Sequence, residues 1–190
     1  MMTEEQKRVW EQTEQAVQGC QRCALCQTRT HTVFGRGSEN AKILFIGEAP
    51  GEQEDREGKA FVGAAGQLLD RYLAFIGLEE DDYYIANILK CRPPRNRDPL
   101  PEEEEACLPY LKEQLSCLQP KILVCLGRIA AQRIISPDFR ITKQRGTWFQ
   151  RGNMKIIATY HPSALLRDPY KKTETLSDFK MILKEWETLA

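Results

Sequence analysis

A chain of 190 residues with 42% hydrophobic side chains is long enough to bury one sizeable core and too apolar to remain disordered. Its 27 basic side chains balance 27 acidic ones, a formal net charge of 0 that excludes a nucleic-acid packager working through bulk charge. No apolar run nears the roughly 18 residues of a membrane span, and the start MMTEEQKRVWEQTEQ has neither a signal-peptide core nor the acid-poor character of a transit peptide, so a cytoplasmic protein without a membrane partner is expected.

Residues 1–19 begin the chain as a polar helix over 3–18 that stops near Gly19 and leads into Cys20, Cys23 and Cys26. The apolar run KILFIG (42–47) predicts a strand covered on both faces. After the glycine-containing loop GEAPGEQEDREGKAFVG, the residues Ala65, Leu68, Leu69, Tyr72, Leu73 and Ile76 recur at helical steps, and Gly77 stands where a helix-ending glycine belongs. A second buried strand is predicted over 83–89. The segment LKCRPPRNRDP then leads to a helix that begins with Pro101 and four glutamates, which suit the positive end of a helix dipole; Pro109 lacks an N–H and is expected to kink or end its first segment. Two more buried-strand runs lie at 121–127 and 154–160, with helical stretches over 127–136 and 173–188. Strands alternating with helices predict a single α/β domain over 1–190, a three-layer α/β/α sandwich around a four-stranded parallel sheet.

Charge is segregated along the chain: between Lys121 and Lys172 there are 11 Lys or Arg against two acids, Asp138 and Asp168. Such a stretch can present a phosphate-binding face or be scattered by folding over an ordinary solvated surface. Seven cysteines in a chain too large to need disulfide staples point to metal ligation, redox chemistry or buried thiols. Cys20, Cys23, Cys91 and Cys107 could hold zinc or a four-iron cluster; Cys26 makes the first group ambiguous. Cys125, inside an apolar strand, and Cys117, on a helix, read as buried thiols.

In an open α/β sheet, ligands bind beyond the carboxyl ends of the strands, where Glu48, Asn87 and His161 would converge with Phe61 from the first loop. One carboxylate, one amide, one imidazole and one aromatic ring suit a planar heterocycle, stacked on Phe61 and read along its edge by Asn87. Structural readings remain beside this one: Glu48 capping local amides, Asn87 bonding a turn, Phe61 in the core. The dinucleotide fingerprint GxGxxG, the phosphate loop GxxxxGK[ST] and the serine-hydrolase GxSxG are all absent.

GEAPGEQEDREGKAFVG, NILKCRPPRNR and HPSALLR resemble the three signature regions of the iron-sulfur, family 4 uracil-DNA glycosylases, and VFGRG and ITKQRGTWF extend the likeness from about Cys20 to Lys184. The resemblance implies a DNA-repair enzyme that releases uracil and leaves an abasic site, with a 4Fe-4S cluster on Cys20, Cys23, Cys91 and Cys107 and Cys26 left over. It places uracil against Gly47, Glu48, Ala49, Phe61, Asn87 and His161, with Glu48 and His161 catalytic and Glu54 excluding thymine. Ala49 stands where better-known members of the superfamily carry an aspartate, so an aspartate-base mechanism is not available. No KRRIH-like insertion follows Cys91, which argues against covalent trapping of the sugar, and His31 receives no catalytic role. Ser163, Leu165, Leu166 and Arg167 are assigned to DNA, Ser163 and Arg167 to phosphate and the leucines to a wedge in the vacated stack. Uracil-containing DNA, single- or double-stranded, is the expected partner of a monomer that needs no other protein. A catalytically inactive uracil-DNA or nucleotide-binding iron-sulfur protein is the alternative.

Overall fold

In the computed structural model, which describes residues 1–189, helix α1 (Glu4–Gln18) begins where Thr3 and Gln6 exchange side-chain and backbone hydrogen bonds, a capping box for two otherwise free N–H groups. Its inner face, Trp10, Thr13 and Val17, is buried. The chain then forms β1 (Arg36–Gly37), β2 (Ile43–Gly47), α2 (Glu52–Glu57), α3 (Ala64–Phe75), β3 (Tyr83–Asn87), α4 (Pro101–Leu118), β4 (Ile122–Leu126), α5 (Arg128–Ile134), α6 (Ile141–Gln144), β5 (Trp148–Arg151), β6 (Met154–Thr159), α7 (Pro162–Arg167) and α8 (Lys172–Glu187).

The sheet has six strands in the order β1-β3-β2-β4-β6-β5, which corrects the expectation of a four-stranded parallel sheet. The four expected strands lie together as a parallel centre, and β1 and β5 add antiparallel edges. The reason is burial. Every residue of β2, β3 and β4 is buried, so these segments read as apolar runs, whereas β1 is two residues long and β5 ends in exposed Gln150 and Arg151.

Alternate residues of the central strands enter two separate cores. Leu44, Ile46, Leu123 and Cys125 pack with Trp10, Tyr110 and Leu111 of α1 and α4; Ile43, Phe45, Ile122 and Val124 pack with Leu69, Leu73, Phe179 and Ile182 of α3 and α8. Helices therefore cover both faces. Helix α4 continues through Pro109, so the proline does not end it. Losing one backbone bond there is outweighed by its buried face, Cys107, Tyr110, Leu111, Gln114, Cys117 and Leu118. Among the described residues no helix is long and apolar enough to cross a membrane.

Candidate active site

The parallel strands end at a common edge, and that edge builds the site. β2 and β3 stop in register at Gly47 and Asn87, and the next two amides of the β3 chain, Ile88 and Leu89, donate to Gly47 O and Glu48 O at 3.0 Å each. β4 and β6 are joined at their ends by Gly127 N–H donating to Thr159 O at 2.8 Å. A cleft of about 600 Å³ opens between these ends, and its lining includes Glu48, Ala49, Glu54, Phe61, Asn87, His161, Ser163 and Arg167. Gly47 lies directly behind it: a Cβ there would collide with Asn87 Oδ1 and with the Phe61 ring, so only glycine lets amide and ring approach this closely.

Asn87 is 2% exposed, and its Oδ1 is buried without a hydrogen-bond partner. Phe61 has φ of 52°, in the left-handed region that a phenylalanine avoids at a cost of about 1–3 kcal/mol. Gly66 permits that conformation, since a Cβ on it would overlap the Phe61 carbonyl. The Phe61 ring then lies 5.7 Å from the His161 ring, tilted by 39°.

His161 is the N-cap of α7: its Nδ1 accepts the Ser163 N–H at 3.1 Å and lies 2.8 Å from Ser163 Oγ. Because Nδ1 is an acceptor, the ring proton of the neutral form sits on Nε2 and is free to donate. Burial, with Arg167, pushes His161 down to about 4, so the ring is neutral at pH 7. Burial and Asp98 push the Glu48 carboxyl up to about 7, against the opposite pull of Arg128 and Arg167.

Glu54 stands in the wall of the cleft, where its Oε1 accepts the N–H groups of Val62 at 2.9 Å and Gly63 at 2.7 Å and so fixes the loop that carries Phe61. His31 does not line the cleft; its Nδ1 lies 2.9 Å from Asp55 O. One assignment to DNA needs correction. Leu165 is fully buried in the core beside α3 and α8 and cannot reach a base stack, whereas its neighbour Leu166 is 50% exposed. Leu165→Ala is accordingly expected to cost about 2–5 kcal/mol of stability. Leu166→Ala should leave the melting temperature within a degree or two, and equal losses of stability for both variants would contradict this division.

Cys20, Cys23, Cys26, Cys91 and Cys107 border one recess between the N-terminal segment, the end of β3 and α4, with Arg22, Arg29 and Lys90 and no carboxylate among its lining residues. Arg29 Nη1 donates to Cys91 Sγ at 3.3 Å and Lys90 N–H to Cys107 Sγ at 3.2 Å. Burial raises the Cys23 and Cys91 thiols and pushes Cys107 up to about 11, so thiolates here call for a cationic partner. An all-sulfur donor set with N–H groups aimed at it fits a thiolate-bound metal group. Among the described residues no three His, Cys, Asp or Glu side chains converge as a site for a single ion. Cys117 and Cys125 are buried elsewhere, as expected.

Comparison with known proteins then places the chain. The description "Uracil DNA glycosylase superfamily" matches residues 34–187. This chain belongs to the uracil-DNA glycosylase superfamily. It is 48% identical over 174 residues to the type-4 uracil-DNA glycosylase of Archaeoglobus fulgidus, covering 87% of each chain. It is 42% identical over 166 residues to that of Thermotoga maritima, covering 85% of each. With a type-5 uracil-DNA glycosylase of Pyrobaculum aerophilum the identity is 31% over 160 residues, 75% of this chain and 70% of that protein.

For a member of this superfamily, the cleft gathers Glu48, Ala49, Phe61, Asn87 and His161 as the sequence led one to expect, and it adds a pair that sequence reasoning missed. Arg128 Nη2 meets Asp98 Oδ2 at 2.5 Å, and both residues line the cleft. The available signal was the position of Arg128, a charged residue immediately after the buried run KILVCLG. Of the basic stretch 121–172, Arg128, Arg167 and Lys171 reach the cleft, while Arg145 and Lys155 are spent on Asp178 and Glu185.

Proposed function

We propose that this chain is a monofunctional glycosylase that hydrolyses the bond between C1′ of deoxyuridine in DNA and N1 of uracil, releasing the base and leaving an abasic site. The observation that carries this reading is the unpartnered Oδ1 of Asn87, held beside Phe61 in a cleft that also contains a neutral histidine donor. Uracil supplies what is missing: its N3–H donates to Oδ1 and its O4 accepts from the amide nitrogen, with the ring stacked on Phe61. Cytosine presents an acceptor and an amino donor along that edge and would leave buried polar groups unpaired.

As the bond breaks, negative charge develops on uracil and positive charge on the sugar. The Nε2–H of His161 donates to uracil O2, where a donor of this type contributes roughly 2.7–4 kcal/mol. Glu48 as carboxylate orients the attacking water and favours the cationic sugar. Glu54, clamped by the amides of Val62 and Gly63, is the wall that excludes the thymine methyl group. Ser163 and Arg167, which line the cleft, and the exposed Leu166 contact DNA, which must present the nucleotide flipped out or in a single strand. Cys20, Cys23, Cys91 and Cys107 would hold a 4Fe-4S cluster, with Cys26 outside the ligand set. Such a cluster would supply a cross-link between chain segments and no redox step, since hydrolysis transfers no electrons. The chain acts as one domain and as a cytoplasmic monomer without an obligatory protein partner.

The pH dependence tests the role of Glu48. A carboxyl raised to about 7 is ionised only above that pH, so the single-turnover rate should rise through neutrality and be lost as pH falls. His161, at about 4, adds no inflection between pH 5 and 9. Alkaline scission of a uracil-containing oligonucleotide after timed incubation reads the rate. A parent profile flat from pH 5.5 to 8.5, or an unchanged ascending limb in Glu48→Gln, would remove Glu48 from this role.

A further inference from the structure

Lys90 is charged and 1% exposed, and the reaction described above makes no use of its side chain. Its ammonium has three N–H donors, and each has an acceptor: Phe34 O at 3.3 Å, Asn87 O at 3.0 Å and Gln114 Oε1 at 2.6 Å. Its backbone is equally committed. The N–H donates to Cys107 Sγ at 3.2 Å, and the carbonyl accepts Val33 N–H at 2.8 Å. Gln114 closes the network by donating from Nε2 to Phe34 O at 3.0 Å. One residue thus joins Cys107 on α4, the segment that arrives from Cys20 and Cys23, and the end of β3 where Asn87 sits.

An ammonium leaves water unfavourably unless its protons are matched, and an apolar side chain of similar length could fill the same space. What the charged side chain adds is placement: three acceptors from three chain segments are fixed around one nitrogen. The Asn87 peptide is held from the far side as well, because the following amide, that of Ile88, donates to Gly47 O. With its backbone fixed on both sides, the Asn87 side chain can remain in the cleft with its oxygen unpartnered, in readiness for a ring edge.

We infer that Lys90 is a positioning residue that sets the base-reading amide of Asn87 from the framework of the cysteine site. The inference rests on the uracil reading of the cleft. It assigns the cysteine region a part in base recognition, carried by the Lys90 backbone bond to Cys107 at one end and by the Lys90 ammonium on Asn87 O at the other.

The test is Lys90→Met in the full chain, purified with its iron, which keeps the length of the side chain and removes three hydrogen bonds. Measurements are made on folded protein with the parent's iron content, well below the melting temperature. Affinity for free uracil, read by calorimetry, should fall by at least about tenfold, with KM for uracil-containing DNA rising by a similar factor and the saturating single-turnover rate changing less. Parent-like uracil affinity and KM in that protein would overturn the inference. If Lys90→Met does not fold, Gln114→Leu decides: it removes the 2.6 Å acceptor and leaves the backbone bond to Cys107. A severalfold loss of uracil affinity in Gln114→Leu supports the inference, and unchanged affinity overturns it. Failure of the glycosylase reading is a separate outcome, in which the parent itself releases no uracil from DNA.

Discussion

Replacing His161 by Ala is expected to lower the single-turnover rate of uracil release by roughly tenfold to a thousandfold, with affinity for uracil-containing DNA closer to that of the parent. The argument is geometric. Ser163 N–H occupies Nδ1, so the proton of the neutral ring is placed on Nε2. Its donor is therefore in place before charge develops on the departing base, with no reorganisation to be made during bond cleavage. Because burial holds the ring neutral, the effect should be the same at pH 6 and pH 8 once the contribution of Glu48 is divided out. Rapid-quench measurement on folded variants of equal iron content gives the rate. A parent-like rate for His161→Ala would reduce His161 to a cap for α7.

The second large effect concerns the cysteines. Cys91→Ser or Cys107→Ser should abolish bound iron and sharply reduce folded yield, because each sulfur is buried and receives an N–H donor, from Arg29 and Lys90 respectively. Cys26→Ser should retain parent-level iron and sulfide. Cys20, Cys23 and Cys26 all border the same recess and are all partly exposed, so iron content is what separates the two assignments. Loss of iron from Cys26→Ser, with retention in Cys20→Ser, would exchange those residues in the ligand set.

The parts of the fold visible in sequence are those that burial on both faces writes as apolar runs: Ile43–Gly47, Tyr83–Asn87 and Ile122–Leu126. The edge strands leave no such mark. Arg36–Gly37 is too short, and Trp148–Arg151 has an exposed half that reads as loop. The same logic explains the leucine pair of HPSALLR. Adjacent residues on a helix point about 100° apart, so sequence alone does not say whether Leu165 or Leu166 faces the core. Placement at strand ends was enough to bring Glu48, Asn87 and His161 together. What sequence could not supply was the left-handed backbone of Phe61, which depends on the missing side chain of Gly66, or the contact between Asp98, in the segment before α4, and Arg128, the first residue of α5.

Release of free base tests the central claim most directly. Iron-loaded parent protein, in excess over a strand carrying one radiolabelled uracil, is compared in chelator with the matched strand carrying labelled thymine, and free base and abasic DNA are quantified together. The account predicts stoichiometric release of uracil without added magnesium, an equal yield of abasic sites and no release of thymine. Tight binding of the uracil strand with the base still attached would contradict it and leave a binding protein in place of an enzyme.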